Sequence, residues 1–344
     1  GKRAIPSYRF DNAQVIVSIG ADFLGTWLSP VEFAKQYSKG KRINEKNPSM
    51  SKHIHFETVP SLTGSNADDR YLHRPSETGA VAVALLNAIN GQAASGIGDA
   101  KLKAGIEKAA KELSANKGAS LVVCGSNDVN VQIVVNTINE ALQSGGKTID
   151  WSVTANYRKG IDSDFAKLVD DMNAGTIGAL LVHSANPAYT WYNADKFKSG
   201  LKNVKTSVCF NVRKDETAQL CKYVIPDHHF LESWGDAEPK SGNYSLIQPT
   251  INPLFKTRQW QDSLLKWSGS TSDYLGYVKN YWVTKLGSEV AWDKALQDGV
   301  INPASEPVPT AASFNGASND GAVSAIASLK KGGNYELVLY QKIA

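Results

Sequence analysis

The sequence is poor in the residues that hold redox metals. It has 3 cysteines in 344 residues, Cys124, Cys209 and Cys221, far apart and without any CxxC or CxxCH spacing. That spacing argues against an iron–sulfur cluster, a zinc knuckle or a haem attachment within the chain. Three is an odd number and points to no disulfide framework. Each cysteine falls at or beside an expected buried strand, where a small apolar thiol is ordinary. Charge of one sign is also scarce: 37 Lys and Arg face 33 Asp and Glu, a net +4. No basic stripe of the kind that grips a phosphate backbone is expected, and nucleic acid is not an expected partner. Long apolar runs are missing too. The richest stretch, Ala80 to Ile89, is far short of the roughly 18 residues of a membrane span, so no direct span is expected. There is no initiator Met and no signal-peptide pattern, and Gly1 reads as a processing boundary or a cut within something longer. Glycine-rich phosphate loops of the GxGxxG or Walker type and a GxSxG elbow are absent.

What is present suits a globular chain. Hydrophobic residues make up 42% and charged residues 20%, ordinary values for a packed core. At roughly 150 residues per domain the length allows about two domains. Short runs rich in β-branched residues alternate with segments of helical period, the pattern of βαβ units and a mostly parallel sheet. Expected strands are Gln14 to Ile19, His53 to Thr58, Ser120 to Cys124, Thr176 to His183, Val204 to Phe210 and Tyr223 to Ile225. Expected helices open at Ser76, Asp99 and Asp128, whose side chains can satisfy orphan N–H groups. Gly118 and Gly145 stand where left-handed C-terminal caps are expected. Beyond about Pro253 the alternation fades into Arg258 to Lys266 and two short helical segments reaching about Gln297. A Pro-rich linker, Asn302 to Pro309, a last helix, Ser318 to Lys330, and a strand, Tyr335 to Tyr340, complete the reading.

One internal repeat stands out. Val15 to Trp27 reads VIVSIGADFLGTW and Ala179 to Trp191 reads ALLVHSANPAYTW. End to end they share Ala21 with Ala185, Thr26 with Thr190 and Trp27 with Trp191, and set Gly20 against Ser184 and Asp22 against Asn186. A small residue and an Asx at a strand end are common turn chemistry. The shared Thr and Trp raise the match above that, and two copies imply two related α/β lobes. In such folds the ligand crevice lies at the carboxyl ends of the strands, where these residues fall. Trp27 and Trp191 are expected as buried supports of the two crevices.

The strongest polar cluster is DHHFLESWGD, Asp227 to Asp236. His228, His229 and Glu232 approximate a metal triad by spacing. Pro226 before them and Gly235 after them favour a binding loop at a strand's carboxyl end instead of a ligand-bearing helix. Gly20 and Gly125 could each end a strand and open a helix suited to an anion. Asp22 and Asp128 follow them closely and would repel that anion. No Cys has a His partner nearby in sequence that would argue for a thiolate.

Taken together, several segments resemble the molybdopterin oxidoreductase family, which includes DMSO reductase and formate dehydrogenase. HSANPAYTW, His183 to Trp191, is similar to that family's strand ending in Gly-x-Asn-Pro, with Asn186 and Pro187 intact. SIGADFLGTW is similar to its first copy, with Asp22 and Phe23 in place of Asn-Pro. Lys52 to Ile89 resembles the run from the second strand to a Pro-Gly-(Thr or Ser)-Asp helix start; here it reads Pro75-Ser76-Glu77-Thr78, with Glu57-Thr58 where Asp-Pro is usual. Cys221 to Asp236 resembles the loop near the second guanine, with Glu232 and Gly235 matching. Within the family, GADFLGTWLSPVEFAKQY and FLESWGDAEPKSGNYSLIQPTINPLFKTRQWQDSLLKW most resemble the B subunits of bacterial alternative complex III, a quinol:cytochrome c oxidoreductase.

The resemblance implies two Rossmann-like, three-layer α/β lobes with mostly parallel sheets, over 1–115 and 116–267. A helical extension and linker, 268–344, would lead toward a further C-terminal domain. It implies cofactor-binding positions in vestigial form at Gly20, Asp22, Glu57, Arg74 and Gly125 in the first lobe and Asn186, Glu232 and Gly235 in the second, with no catalytic residue and no metal ligand. It implies a non-catalytic scaffold within a respiratory electron-transfer subunit, with no cofactor in this chain and iron–sulfur clusters only in the remainder. The partners would be other subunits of a membrane-bound respiratory complex on the periplasmic side of the bacterial inner membrane. The alternative it leaves is a piece of an active, polysulfide reductase-like catalytic subunit binding a molybdopterin guanine dinucleotide. A nucleotide-binding module without redox work is a third reading.

Overall fold

A computed structural model describes residues 4–43, 45, 48–157, 159–303, 308–312, 314, 316–329 and 334–340. Gly1, Lys330, Ala344 and the middle of the Pro-rich linker lie outside the described residues. The chain forms two compact units, Gly1–Ala155 with Ser305–Ala344, and Asn156–Ala304.

In the first unit, β1 (Ile5–Tyr8) is followed by β2 (Val15–Ile19), α1 (Pro30–Lys41), β3 (Lys52–Glu57), the single-turn α2 (Leu62–Ser65) and β4 (Asp69–Leu72). Then come α3 (Thr78–Ile89), α4 (Ala100–Ala115), β5 (Ser120–Cys124), α5 (Val129–Ala141) and β6 (Ile149–Ala155). A parallel sheet runs in the order β4-β3-β2-β5. The chain moves outward from β2 through β3 to β4 and returns on the other side as β5, so the topological switch point lies between β2 and β5. Strand periodicity divides the apolar side chains between the two faces. Val15, Val17, Ile19, Ile54, Phe56 and Val122 pack against α3, α4 and α5, while Ile16, Leu121 and Val123 meet Phe10, Phe23, Phe33 and Tyr37. Both faces are covered, which explains why β2 and β5 read as nearly continuous apolar runs, with Ser18 and Ser120 the exceptions. β1 and β6 pair antiparallel, with an irregularity between Pro6 and Ser7.

In the second unit, α6 (Asp162–Asn173), β7 (Ala179–His183), the single-turn α7 (Pro187–Thr190), α8 (Ala194–Asn203), β8 (Thr206–Asn211), α9 (Glu216–Leu220) and β9 (Tyr223–Pro226) build a parallel sheet ordered β7-β8-β9. Val182 and Cys209 pack with Val169, Met172, Phe197 and Leu201 of α6 and α8. β10 (Gly235–Lys240), β11 (Asn243–Ile247), α10 (Trp260–Trp267), α11 (Tyr274–Leu286), α12 (Glu289–Asp298) and β12 (Val300–Ile301) follow. β11 pairs antiparallel with β10 and β12, and Leu246, Val278, Trp282, Trp292 and Ala295 form their own small core.

All six expected strands are present within a few residues, and α4 and α5 start after the Asp99 and Asp128 caps. The boundaries of the lobes differ from the sequence reading. β5 hydrogen-bonds to β2, so 116–155 belongs to the first unit and not the second. The extension does not stand apart. α11 and α12 complete the second unit, and the helix Asn319–Ser328 folds back on the first, placing Ala322 and Ile326 in its core. Gly118 has φ +83°, as a left-handed residue should, but Gly145 does not; the turn after α5 uses Gln143 at +57° and Gly146 at +72°. Tyr335–Tyr340 is no strand: Tyr335 and Leu339 are exposed and pair with no neighbouring strand among the described residues.

Trp27 and Trp191 are half-buried rather than buried, each laid against its unit's core, with ring centroids 5.2 Å from Tyr8 and 5.5 Å from Phe165 respectively. Phe23, beside the same turn, is fully buried between Phe10, Tyr37 and His53. We expect Phe23→Ala to cost about 3 to 5 kcal/mol, the range for emptying a core aromatic site. Trp27→Ala and Trp191→Ala should cost distinctly less. Urea unfolding of the three variants checks the ranking, which an equal loss for all three would overturn.

Candidate functional site

The repeated segments build the same turn twice. β2 runs into Gly20 with φ +63°, and β7 runs into Ser184 with φ +49°. A left-handed residue at each strand end explains the small side chain at that position. Two residues later comes the Asx. Asp22 Oδ1 accepts from the Thr63 backbone N–H (3.0 Å) and hydroxyl (2.7 Å). Asn186 Oδ1 accepts from the Thr217 N–H (3.2 Å) and hydroxyl (2.8 Å). Each threonine oxygen in turn accepts the backbone N–H two residues past its Asx, from Leu24 at 2.9 Å and from Ala188 at 3.0 Å. Both threonines stand two residues after a helix N-cap, Ser61 and Asp215, so the N–H given to the Asx belongs to the unsatisfied first turn. Thr63 and Thr217 are fully buried. The clasp joins the end of one strand to the helix that follows the next strand.

The other sequence-identified positions in the first unit gather at the same carboxyl edge. Gly125 N donates to Ile19 O at 3.0 Å, and a Cβ on Gly125 would stand 2.3 Å from Gly20 O, so the ends of β2 and β5 abut at the switch point. Glu57 is buried. Its Oε2 accepts from Ser61 N (3.0 Å), Ser61 Oγ (2.7 Å) and His55 Nε2 (3.1 Å), and Oε1 lies 3.2 Å from Arg70 Nε. Asp128 caps α5 by accepting from Asn130 and Val131 N–H groups, which takes up the donors an anion would need. At the Pro75 helix start, Ser76 N and Oγ both donate to the Glu336 carboxylate, each at 2.8 Å. Arg74 differs from these. It is exposed, and among the described residues its guanidinium meets no acceptor.

In the second unit Asn186 also donates from Nδ2 to Glu216 at 2.7 Å, and that bond holds the Glu216 carboxyl below its usual range. Glu232 ends a single 3-10 turn, Phe230–Glu232, that His229 caps, and not a longer ligand-bearing helix. Its two oxygens accept the N–H groups of Leu254 (3.0 Å) and His229 (3.0 Å), which hold its carboxyl below the usual range. Gly235 opens β10. His228 bonds Thr257 at 2.6 Å, and among the described residues no group of three or more His, Cys, Asp or Glu could hold a metal ion. Burial pushes the Cys124 thiol up to about 11 and the Cys209 thiol up to about 12, so neither supplies a thiolate near neutral pH.

Two features escaped the sequence reading. Asp227 is the hub of the second-unit loop: it accepts from His183 Nε2 (2.9 Å), His228 N (2.9 Å) and Trp260 N (3.0 Å), and His183 stacks on Trp260 with centroids 4.6 Å apart. The other is a run of buried imidazoles beside the first clasp. The alternation in KHIHFE sets His53, His55 and Glu57 on one face of β3, a period-2 signal that was open to reading. His73 Nδ1 bonds the Arg74 carbonyl at 2.8 Å, which fixes its proton there and leaves Nε2 bare. Tyr37 gives its one proton to Asn66 O (3.0 Å), so His53 Nδ1 donates to the phenol and its Nε2 is bare too. His55 donates from Nε2 to Glu57, leaving Nδ1 bare. All three bare nitrogens are buried without a partner among the described residues.

No protein-family model matches the chain, and no curated protein matches it. Among solved structures it is similar to acetylene hydratase from Pelobacter acetylenicus, an enzyme of the molybdopterin and DMSO reductase family, with a TM-score of 0.59 at 15% identity. The match covers 87% of this chain and 53% of the hydratase, so the chain spans about half the length of that enzyme. The mixed α/β architecture with parallel sheets is therefore a fold that this chain shares with the matched part of that enzyme. Among the described residues no helix is long and apolar enough to cross a membrane.

Two outcomes follow from this geometry. Thr63→Val and Thr217→Val keep shape but leave the Leu24 or Ala188 backbone N–H without its acceptor, and each should cost about 1 to 3 kcal/mol. Asp22→Asn copies the other clasp and should leave melting nearly unchanged, whereas Asp22→Ala should not. Calorimetry of the four variants decides, and equal losses for Asp22→Asn and Asp22→Ala would show that the clasp is not the support described. The imidazoles set a pH dependence. Burial lowers the pKa of His53 well below its ordinary 6.5 and lowers those of His55 and His73 as well, so these rings are neutral when folded. The unfolded chain binds their protons below about pH 6.5, so their contribution is fully present above that pH and is lost as pH falls below it. Melting temperature should drop between pH 7.5 and 5, and less steeply in His73→Gln. A flat profile over that range would contradict the neutral assignment.

Proposed function

We propose that the chain is the non-catalytic, molybdopterin-oxidoreductase-like scaffold of a respiratory electron-transfer subunit of the alternative complex III type. It presents docking surface to the other subunits of a membrane-bound quinol:cytochrome c oxidoreductase on the periplasmic side of the bacterial inner membrane. Electrons travel through iron–sulfur clusters carried elsewhere in that subunit. One observation carries the reading: the polar side chains at the carboxyl edges are consumed by the chain's own backbone and hydroxyls. Asp22, Glu57, Asn186 and Glu232 hold Thr63, Ser61, Thr217, and Leu254 with His229. Glu336 takes the two donors of Ser76. A dinucleotide cofactor would have to displace those bonds, among which Thr63 and Thr217 are buried partners and Ser61 and His229 are helix caps.

The rival reading, an active molybdopterin-dependent subunit binding the pterin guanine dinucleotide, is favoured by Arg74, whose exposed guanidinium at the edge of the first sheet could meet a phosphate. Metal analysis and the fluorescence of acid-oxidised pterin on protein purified from its native host separate the two. The expected result is molybdenum and pterin far below one per chain, in a preparation that carries further subunits and oxidises quinol. Stoichiometric molybdenum and pterin would overturn the scaffold reading.

A further inference from the structure

Away from both clasps, the second unit contains a pocket of about 310 Å³ between α11 and the β10–β11 hairpin. Helical spacing puts Tyr274, Tyr277, Tyr281 and Trp282 on the face of α11 that lines it, and Tyr244 of β11 completes the aromatic wall. The rings meet in two groups. Trp282 packs edge-on to Tyr244 (centroids 5.0 Å) and Tyr281 (5.3 Å), and Tyr274 stacks with Tyr277 at 6.4 Å. Asp236 and Glu238, two apart on β10 and so on one face, supply carboxylates to the same space. Asp236 is fixed there by the Trp282 indole N–H at 2.7 Å. Among the described residues no lysine, arginine or histidine lines the pocket.

Ring faces and carboxylates both present negative potential, which selects a cation; the rings also prefer one with a thin hydration shell. The chain itself shows that three of these rings accept a cation. Lys285 lies outside the pocket lining, and its ammonium sits 4.0 Å from the Tyr244 ring centre, 5.0 Å from Trp282 and 5.6 Å from Tyr281, with its proton donated to the Tyr244 hydroxyl at 2.9 Å. The pocket lies at the small end of ligand sites, large enough for a compact head group.

We propose that this pocket binds a quaternary or methylated ammonium group, the rings receiving its methyls and Asp236 and Glu238 its charge. The test uses the full chain and Trp fluorescence or calorimetry, with choline as the probe and 3,3-dimethylbutanol, its uncharged isostere, as the control. Choline should bind saturably and at least tenfold more tightly than the isostere. Tyr277→Ala should weaken choline by roughly three- to thirty-fold, as expected for the loss of one cation–π face, while Tyr277→Phe retains binding. Asp236→Asn should weaken choline and leave the isostere unchanged. Tyr277 is half-exposed, and the phenylalanine variant guards against a folding defect. Phosphatidylcholine vesicles form a second arm. Sedimentation that Tyr277→Ala abolishes places the head group on a lipid, and choline binding without sedimentation places it on a free solute; either supports the site. Absence of saturable choline binding, equal affinity for the isostere, or indifference to Tyr277→Ala would overturn it.

Discussion

The constraint on which both parallel sheets depend is the bond between a strand-end Asx oxygen and a threonine at the start of the next strand's helix. A βαβ unit leaves two awkward groups at its carboxyl edge: a helix first turn with unsatisfied N–H donors, and a chain that must reverse sharply off the strand. The clasp answers both. The Asx takes the orphan N–H, and the threonine hydroxyl stands between them, giving its proton to the Asx and accepting an N–H from the reversing turn. Its second copy, Asn186 with Thr217 and Ala188, repeats the bonds atom for atom although one Asx is charged and the other is not. What the two lobes have in common is thus the accepting oxygen rather than the charge.

That distinction bears on how the carboxyl edges serve the molecule. In an open α/β sheet these edges are where ligands bind, because helix N-termini and loops converge there. Here the same convergence is turned inward. Glu57 binds the Ser61 amide and hydroxyl, Asp128 binds the first turn of α5, and Glu232 bridges two loop amides. Each lone pair so used is lost to a ligand unless the ligand repays a buried polar group, at roughly 1 to 3 kcal/mol apiece. At the switch point the Gly125 N–H bonds Ile19 O, and the close approach of Gly125 to Gly20 O leaves no room for a side chain at position 125.

The legible part of the fold was the part driven by burial. β2, β5 and β8 are buried almost throughout and rich in apolar residues, and their sequences reported it; β3, β7 and β9 were legible from a few apolar or β-branched residues each. The strands that went unread have no such obligation. β4 is a four-residue edge strand, Asp-Arg-Tyr-Leu, with alternate residues exposed, and β1, also an edge, contains Pro6. The repeat marked the two turns at Gly20 with Asp22 and at Ser184 with Asn186, because a left-handed residue and an Asx leave a local mark. Thr63 and Thr217, the partners that make the clasp, carry none, since they meet it only across 41 and 31 residues of chain. Tyr335–Tyr340 misled for the opposite reason: alternation of apolar residues promises a strand, but a strand needs a neighbour, and none is present among the described residues.

The buried histidines show why the first unit is the more constrained of the two. An apolar residue at His53 or His55 would fill the same space on β3 without the cost of a bare nitrogen lacking a donor. Their hydrogen bonds give the compensating reason. His55 contributes to Glu57, and through Glu57 to the Ser61 cap of α2, whose third residue is Thr63 counted from that cap. His53 positions the Tyr37 hydroxyl, which in turn holds the Asn66 carbonyl at the other end of α2. Both chains of bonds end on the single helical turn that delivers Thr63 to Asp22. The polar ladder inside the sheet is therefore a support for the clasp, and its neutral state is what keeps that support compatible with burial.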